Sequence, residues 1–227
     1  MVGAFPLLWL RAGLGCTDYF EYLPAKGVMG KKINKRRASI CRKTLETDIV
    51  LDFNIDGQRT SDVDSGVPFL DHMLTLFAVH GTFDLVVKAK GDTEVDDHHS
   101  VEDIGICLGQ ALTSILGDKS GIARYGSCYL PMDEALVRVV VDISNRPFLH
   151  YDVPVVEEKI GNYDTVLTKE FFRAFAQHAG ITLHVDLIHG ENGHHIVEAV
   201  FKGLARALAG AVSMIDIEGS LSSKGSL

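Results

Sequence analysis

"HHSVEDIGICLGQALTSILG" (98–117) and "HHIVEAVFKGLARALAGAV" (194–212) decide how the chain is read. Each opens on His-His-x-x-Glu and continues with a helical spacing of apolar residues. In the first, Val101, Ile104, Leu108, Leu112 and Ile115 recur at steps of three and four; in the second, Val197, Phe201, Leu204, Leu208 and Ala211 do the same. Two such openings, each followed by the same pattern, indicate an internal repeat.

The segments upstream repeat as well. Phe83, Leu85, Val87 and Ala89 share one face of an extended segment, as do Ile181, Leu183, Val185 and Leu187. Before each strand lies a second helical segment, "PFLDHMLTLFAVHG" (68–81) and "LTKEFFRAFAQHAG" (167–180). Aligning their ends pairs His80 with His178 and sets His72 opposite Glu170. Farther upstream, Ile49, Leu51, Phe53 and Ile55 alternate against Val137, Val139, Val141 and Ile143. The order strand–strand–helix–strand–helix thus occurs twice. It predicts an α+β fold of two tandem halves, each a sheet packed on two helices. Residues 37–121 form the first half and 122–227 the second, which ends in a polar tail.

Residues 1–36 stand outside this repeat and are read as an N-terminal extension, either a disordered arm or an upstream artefact with Met29 as the true start. "FPLLWL" (5–10) is far too short to cross a bilayer and lacks the basic segment that precedes a signal peptide's apolar core. "KKINKRR" (31–37) reads as a solvated tail before it reads as a tether for RNA or membrane. A net charge of −8 argues against nucleic acid. Cys16, Cys41, Cys107 and Cys128 are far apart with no CxxC pair, so neither a disulfide framework nor a thiolate metal site is expected, and a cytoplasmic location is.

A lone histidine at a helix start is commonly a cap or a surface residue. Two copies of His-His-x-x-Glu in one register of a repeat are harder to dismiss. On a helix Glu102 reaches both His98 and His99, and Glu198 reaches His194 and His195, whereas adjacent imidazoles diverge by about 100°. Each opening can therefore feed two metal ions. His72 and Glu170, on the preceding helices, add one ligand per half. The set is five imidazoles and three carboxylates, a mixed N/O donor set suited to Mn²⁺, Fe²⁺ or Zn²⁺ with positions left open for catalysis. His150 and His184 fall in strand-like runs and read as structural; His80 and His178 read as caps or pocket walls.

"DVDSGVPFLDHMLTLFAVHG", "DDHHSVEDIGICLGQAL", "MDEALVRVVVDISNRP", "HGENGHHIVEAVFKGLARAL" and the closing "SSKG" together resemble the imidazoleglycerol-phosphate dehydratase family of histidine biosynthesis, from about Arg37 to Lys224. The resemblance implies a ribosomal-protein-S5-domain-2-like fold in each half. It also implies an octahedral homo-oligomer (a 24-mer) with active sites at subunit interfaces, and a pair of Mn²⁺ ions per site. The implied metal ligands are His72, His98, His99, Glu102, His194, His195 and Glu198, with Glu170 at a position that is often histidine in relatives. The implied reaction removes water from D-erythro-1-(imidazol-4-yl)glycerol 3-phosphate through a metal-stabilised imidazolate and a diazafulvene, giving 3-(imidazol-4-yl)-2-oxopropyl phosphate. Glu46 is the candidate proton carrier, with Asp133 and Glu134 as alternatives. The substrate contacts would be Glu46, His72, His80, His98, Glu102, Arg124, Arg146, His194, Lys202, Ser222, Ser223 and Lys224. Arginine forks and serine hydroxyls suit a phosphate.

Two other readings use the same residues. A dinuclear hydrolase would release phosphate from a phosphoester. A metal-storage or RNA-binding module would turn nothing over, but storage bundles write Glu-x-x-His rather than His-x-x-Glu, and fold analogy alone is weak evidence of function.

Overall fold

The computed structural model describes residues 36–225 and residue 227. The Met29 start and residues 1–35, including most of the basic run, lie outside the described residues. Four strands and two helices form the first half: β1 (Arg37–Lys43), β2 (Thr47–Asn54), β3 (Ser61–Asp64), α1 (Pro68–Gly81), β4 (Asp84–Gly91) and α2 (His98–Leu116). The second half repeats the plan: β5 (Tyr125–Met132), β6 (Ala135–Asp142), β7 (Phe148–Asp152), a hairpin of β8 (Lys159–Ile160) and β9 (Tyr163–Asp164), α3 (Val166–Ala179), β10 (Thr182–His189) and α4 (Gly193–Ala211). The sheet orders are β1-β2-β4-β3 and β5-β6-β10-β7, the same topology twice.

The alternating residues face inward as expected. Ile49, Leu51, Phe53, Leu85 and Val87 are buried beneath the first pair of helices, and Val137, Val139, Val141, Leu183 and Val185 beneath the second. Each sheet also has an edge strand that the alternation does not reveal. β3 and β7 pair in parallel with β4 and β10, ahead of the first helix of each half. β3 is "SDVD", polar at three of four positions. An edge strand needs one hydrogen-bonded neighbour and little burial, so its sequence is weakly constrained.

Each helix packs on its own sheet and on a helix of the other half, α1 against α4 and α2 against α3. The result is a sheet–helix–helix–sheet sandwich with one continuous apolar core. The α2–α3 contact depends on two glycines one turn apart. A Cβ on Gly105 would lie 2.7 Å from the Phe171 carbonyl oxygen, and one on Gly109 would lie 2.8 Å from the Phe175 oxygen and the Ala179 nitrogen. Gly109→Val is expected to destabilise the fold by about 1–3 kcal/mol, the usual cost of overpacking. Denaturant unfolding checks this, and an unchanged midpoint would mean that the helices do not approach so closely.

Cys107 and Cys128 are free, the first buried and the second half-buried. Among the described residues no helix is long and apolar enough to cross a membrane.

Candidate active site

Because α1 packs on α4, a ligand candidate from the first half meets the helix opening of the second. Asn192 caps α4 by accepting from the backbone N–H groups of His194 (2.9 Å) and His195 (3.4 Å). Its first turn presents His194 Nε2 3.3 Å from Glu198 Oε2, and His72 Nε2 on α1 lies 3.4 Å from the same oxygen. Glu198 is buried and its other oxygen accepts from Lys202 Nζ. Burial pushes its carboxyl pKa up, but the Lys202 ammonium and the two imidazoles outweigh that and hold it below the usual carboxylate range. His72, His194 and Glu198 place one donor atom each within 4.8 Å of one another. Among the described residues no second trio of such side chains converges so closely.

A cleft of about 430 Å³ opens beside this trio, lined by Phe69, His72, Asp97, Ile160, Tyr163 and His194. Phe69 bridges its walls, 4.9 Å from the Tyr163 ring and 5.3 Å from that of His194. Asp97, the residue before α2, also lines it, so the openings of α2 and α4 border one cleft. His80 is half-buried at the end of α1; burial, then the charges of Lys202 and Arg206, lower its pKa and favour the neutral ring.

At the start of α2, His98 Nε2 lies 3.4 Å from Glu102, the counterpart of His194 with Glu198. The counterpart of His72 is Glu170, and its half-buried carboxylate pairs with Arg173, three residues on, rather than with His98. A second cleft, about 260 Å³, lies there between Glu102, Arg173, Gln177 and His178. His99 and His195 turn away from their neighbours. His99 Nδ1 is 3.1 Å from Asp92, and its Nε2 faces Glu46 at 3.7 Å. His195 Nδ1 is 2.7 Å from Glu134, and its Nε2 faces Asp133 at 3.8 Å. Donating to the Asp92 and Glu134 carboxylates raises the pKa of both imidazoles, and the bond from His195 holds Glu134 at about 2.

The candidate proton carriers thus occupy matching places. Glu46 sits in the β1–β2 turn, Asp133 and Glu134 in the β5–β6 turn, each beside the second histidine of a pair. Asp103 of α2 anchors the turn of Glu46, accepting from Thr47 Oγ1 at 2.5 Å and pairing with Arg42 at 2.9 Å. Removing that carboxylate in Asp103→Ala is expected to cost about 1–3 kcal/mol of stability, together with turnover; thermal unfolding and steady-state rates measure both.

The expected phosphate contacts form a separate group. Arg124 is buried against Asp142 (2.7 Å) and donates to the Leu221 carbonyl (2.7 Å), which ties down the tail carrying Ser222, Ser223 and Lys224. Arg146 lies 3.9 Å from the same Asp142. The backbone N–H of Arg124 donates to Ala211, the last residue of α4, whereas His194 is near its first. At 1.5 Å per residue these two groups are about 25 Å apart. Lys202, one turn beyond Glu198, stays with the trio.

The model of the imidazoleglycerol-phosphate dehydratase family matches residues 65–208, a span that takes in both His-His-x-x-Glu openings. The chain belongs to this family. The imidazoleglycerol-phosphate dehydratase of Desulfotalea psychrophila is 62% identical over 192 residues, covering 85% of this chain and 96% of that protein. That of Caldanaerobacter subterraneus is 56% identical, covering 85% and 100%. Among solved structures, the Staphylococcus aureus dehydratase superposes with a TM-score of 0.72 at 45% identity, covering 79% of this chain and 99% of that one. The Pyrococcus furiosus protein does so at 0.73 and 40%, covering 83% and 100%. The family is one of hydro-lyases acting on a small molecule.

Sequence reading passed over Asp92, Asn192 and the 159–164 hairpin. Asp92 and Asn192 are common turn residues, and the hairpin's strands are too short for a periodicity.

Proposed function

We propose that this chain dehydrates D-erythro-1-(imidazol-4-yl)glycerol 3-phosphate to 3-(imidazol-4-yl)-2-oxopropyl phosphate in the cytoplasm, with two Mn²⁺ ions per active site. The observation that carries the proposal is the convergence of His72, His194 and Glu198 beside an aromatic-walled cleft. Two imidazoles and one buried carboxylate, with no thiolate, fit a divalent cation of the Mn²⁺ class. The remaining ligands of the proposal are His98, His99, Glu102, His195 and, at the position ion-paired with Arg173, Glu170.

Bound metal supplies Lewis acidity that favours negative charge on the substrate's imidazole ring. The side chains do the rest. Phe69 and Tyr163 offer flat walls to the ring. The electron-rich ring expels the hydroxyl on the adjacent carbon, leaving a diazafulvene whose neighbouring C–H is acidic. Glu46, exposed beside His99, takes that proton and passes it to the departing hydroxide, giving water, and the enol that results tautomerises to the ketone. Arg124, Arg146, Lys202, Ser222, Ser223 and Lys224 hold the phosphate, so it is retained in the product.

The distance along α4 supports active sites shared between subunits. A three-carbon phosphate ester bearing one ring cannot span about 25 Å, so Arg124 of one chain would serve the metal ligands of another in a homo-oligomer, a 24-mer in the proposal. Incubation with the substrate tests the chemistry. The expected product is the ketone with phosphate still attached. Stoichiometric release of inorganic phosphate would instead favour a hydrolase.

A further inference from the structure

The second histidine of each pair has a feature that its metal role alone does not require. His99 Nδ1 lies 3.1 Å from both oxygens of Asp92, and His195 Nδ1 lies 2.7 Å from Glu134 Oε2. An ionised carboxylate only accepts hydrogen bonds, so in each neutral ring the proton must sit on Nδ1. The lone pair on Nε2 is then free, on the side that faces Glu46 or Asp133.

The two contacts do not descend from one another through the repeat. Asp92 follows β4 and lies seven residues before His99; seven residues before His195 stands Ile188. The second half supplies its carboxylate from the β5–β6 turn instead. Glu134 is further fixed because its other oxygen, Oε1, accepts from the backbone N–H groups of Asn192 (2.9 Å) and Glu191 (3.3 Å). Asn192 in turn caps the helix bearing His194 and His195. Turn, cap and imidazole therefore form one connected unit.

We infer that Asp92 and Glu134 are positioning residues that lock His99 and His195 in the Nδ1-protonated tautomer, so that each offers Nε2 to a divalent cation. The inference rests on the proposed reading of these histidines as metal ligands. Glu134→Gln tests it sharply. The backbone N–H groups would hold the amide oxygen and turn the amide NH₂ toward the ring. That favours a proton on Nε2, the atom that must be bare.

The experiment is a Mn²⁺ titration of metal-stripped full-length wild type, Glu134→Gln and Asp92→Asn, followed by calorimetry, with thermal unfolding of each stripped protein. Losing an outer-shell partner typically costs 10–100-fold in metal affinity. Each variant is expected to bind Mn²⁺ about 10–100-fold more weakly, with the melting point of the stripped protein unchanged and activity restored by excess Mn²⁺. Wild-type affinity in both variants would overturn the lock and leave the ligand assignment standing. Weaker binding accompanied by a lower melting point of the stripped protein, with no rescue, would also overturn it, because the carboxylates would then serve the fold. Failure of the wild type to bind Mn²⁺ would remove the ligand assignment and the lock with it.

Discussion

Glu198→Gln is expected to lower Mn²⁺ affinity and turnover by more than about 100-fold, because it would remove a proposed donor to the metal, where even an outer-shell partner is worth about 10–100-fold. The side chain is the meeting point of the trio: His72 and His194 both address its Oε2, and Lys202 its Oε1. Glutamine keeps the volume and an oxygen for Lys202, so the helix contact persists. It loses the negative charge that offsets a dication and the Lys202 ammonium together. Metal titration and steady-state kinetics on the stripped and reloaded variant give the result. Wild-type affinity in a folded Glu198→Gln protein would remove the trio from the site.

The second large effect concerns two inactive proteins that recover together. Arg124→Ala and His194→Ala disable groups about 25 Å apart along α4, so each variant alone is expected to be inactive. If each active site draws its metal ligands from one chain and its phosphate contacts from another, subunit exchange creates intact sites. Random mixing in equal amounts would restore about a quarter of wild-type activity, because each site needs the intact partner on both sides. Mass spectrometry of the exchanged oligomers shows that mixing has occurred. No recovery in mixed oligomers would mean that one chain carries a whole site.

Much of the fold was legible because its signals are periodic. The two stretches that open on His-His, 98–117 and 194–212, mark α2 and α4 to within one residue of their ends. Alternation marks β2, β4, β6 and β10, which lie inside their sheets and bury one face. β3 and β7 escaped because each pairs on one side only, and β8 and β9 because each is two residues long. The sites divide in the same way. The repeat identifies His72, His98, His194 and their glutamates as one class of residue. It does not say that His72 from the first half meets His194 from the second, since that follows from α1 packing on α4 rather than on α2. Nor does it say that His99 and His195 turn toward Asp92 and Glu134. The pairing of Glu170 with Arg173, three residues later on one helix face, was visible in the sequence, and its competition with a metal role emerges only from the structure.

The twin His-His-x-x-Glu openings are proposed to make this chain's dehydratase activity depend on metal. The most direct measurement of that dependence is turnover of imidazoleglycerol phosphate by protein stripped with a chelator, then reloaded stepwise with Mn²⁺ while bound metal is counted. The stripped protein is expected to give no ketone, and the rate to rise with loading until two ions occupy each site. Full activity in protein shown to be free of metal would contradict the dependence.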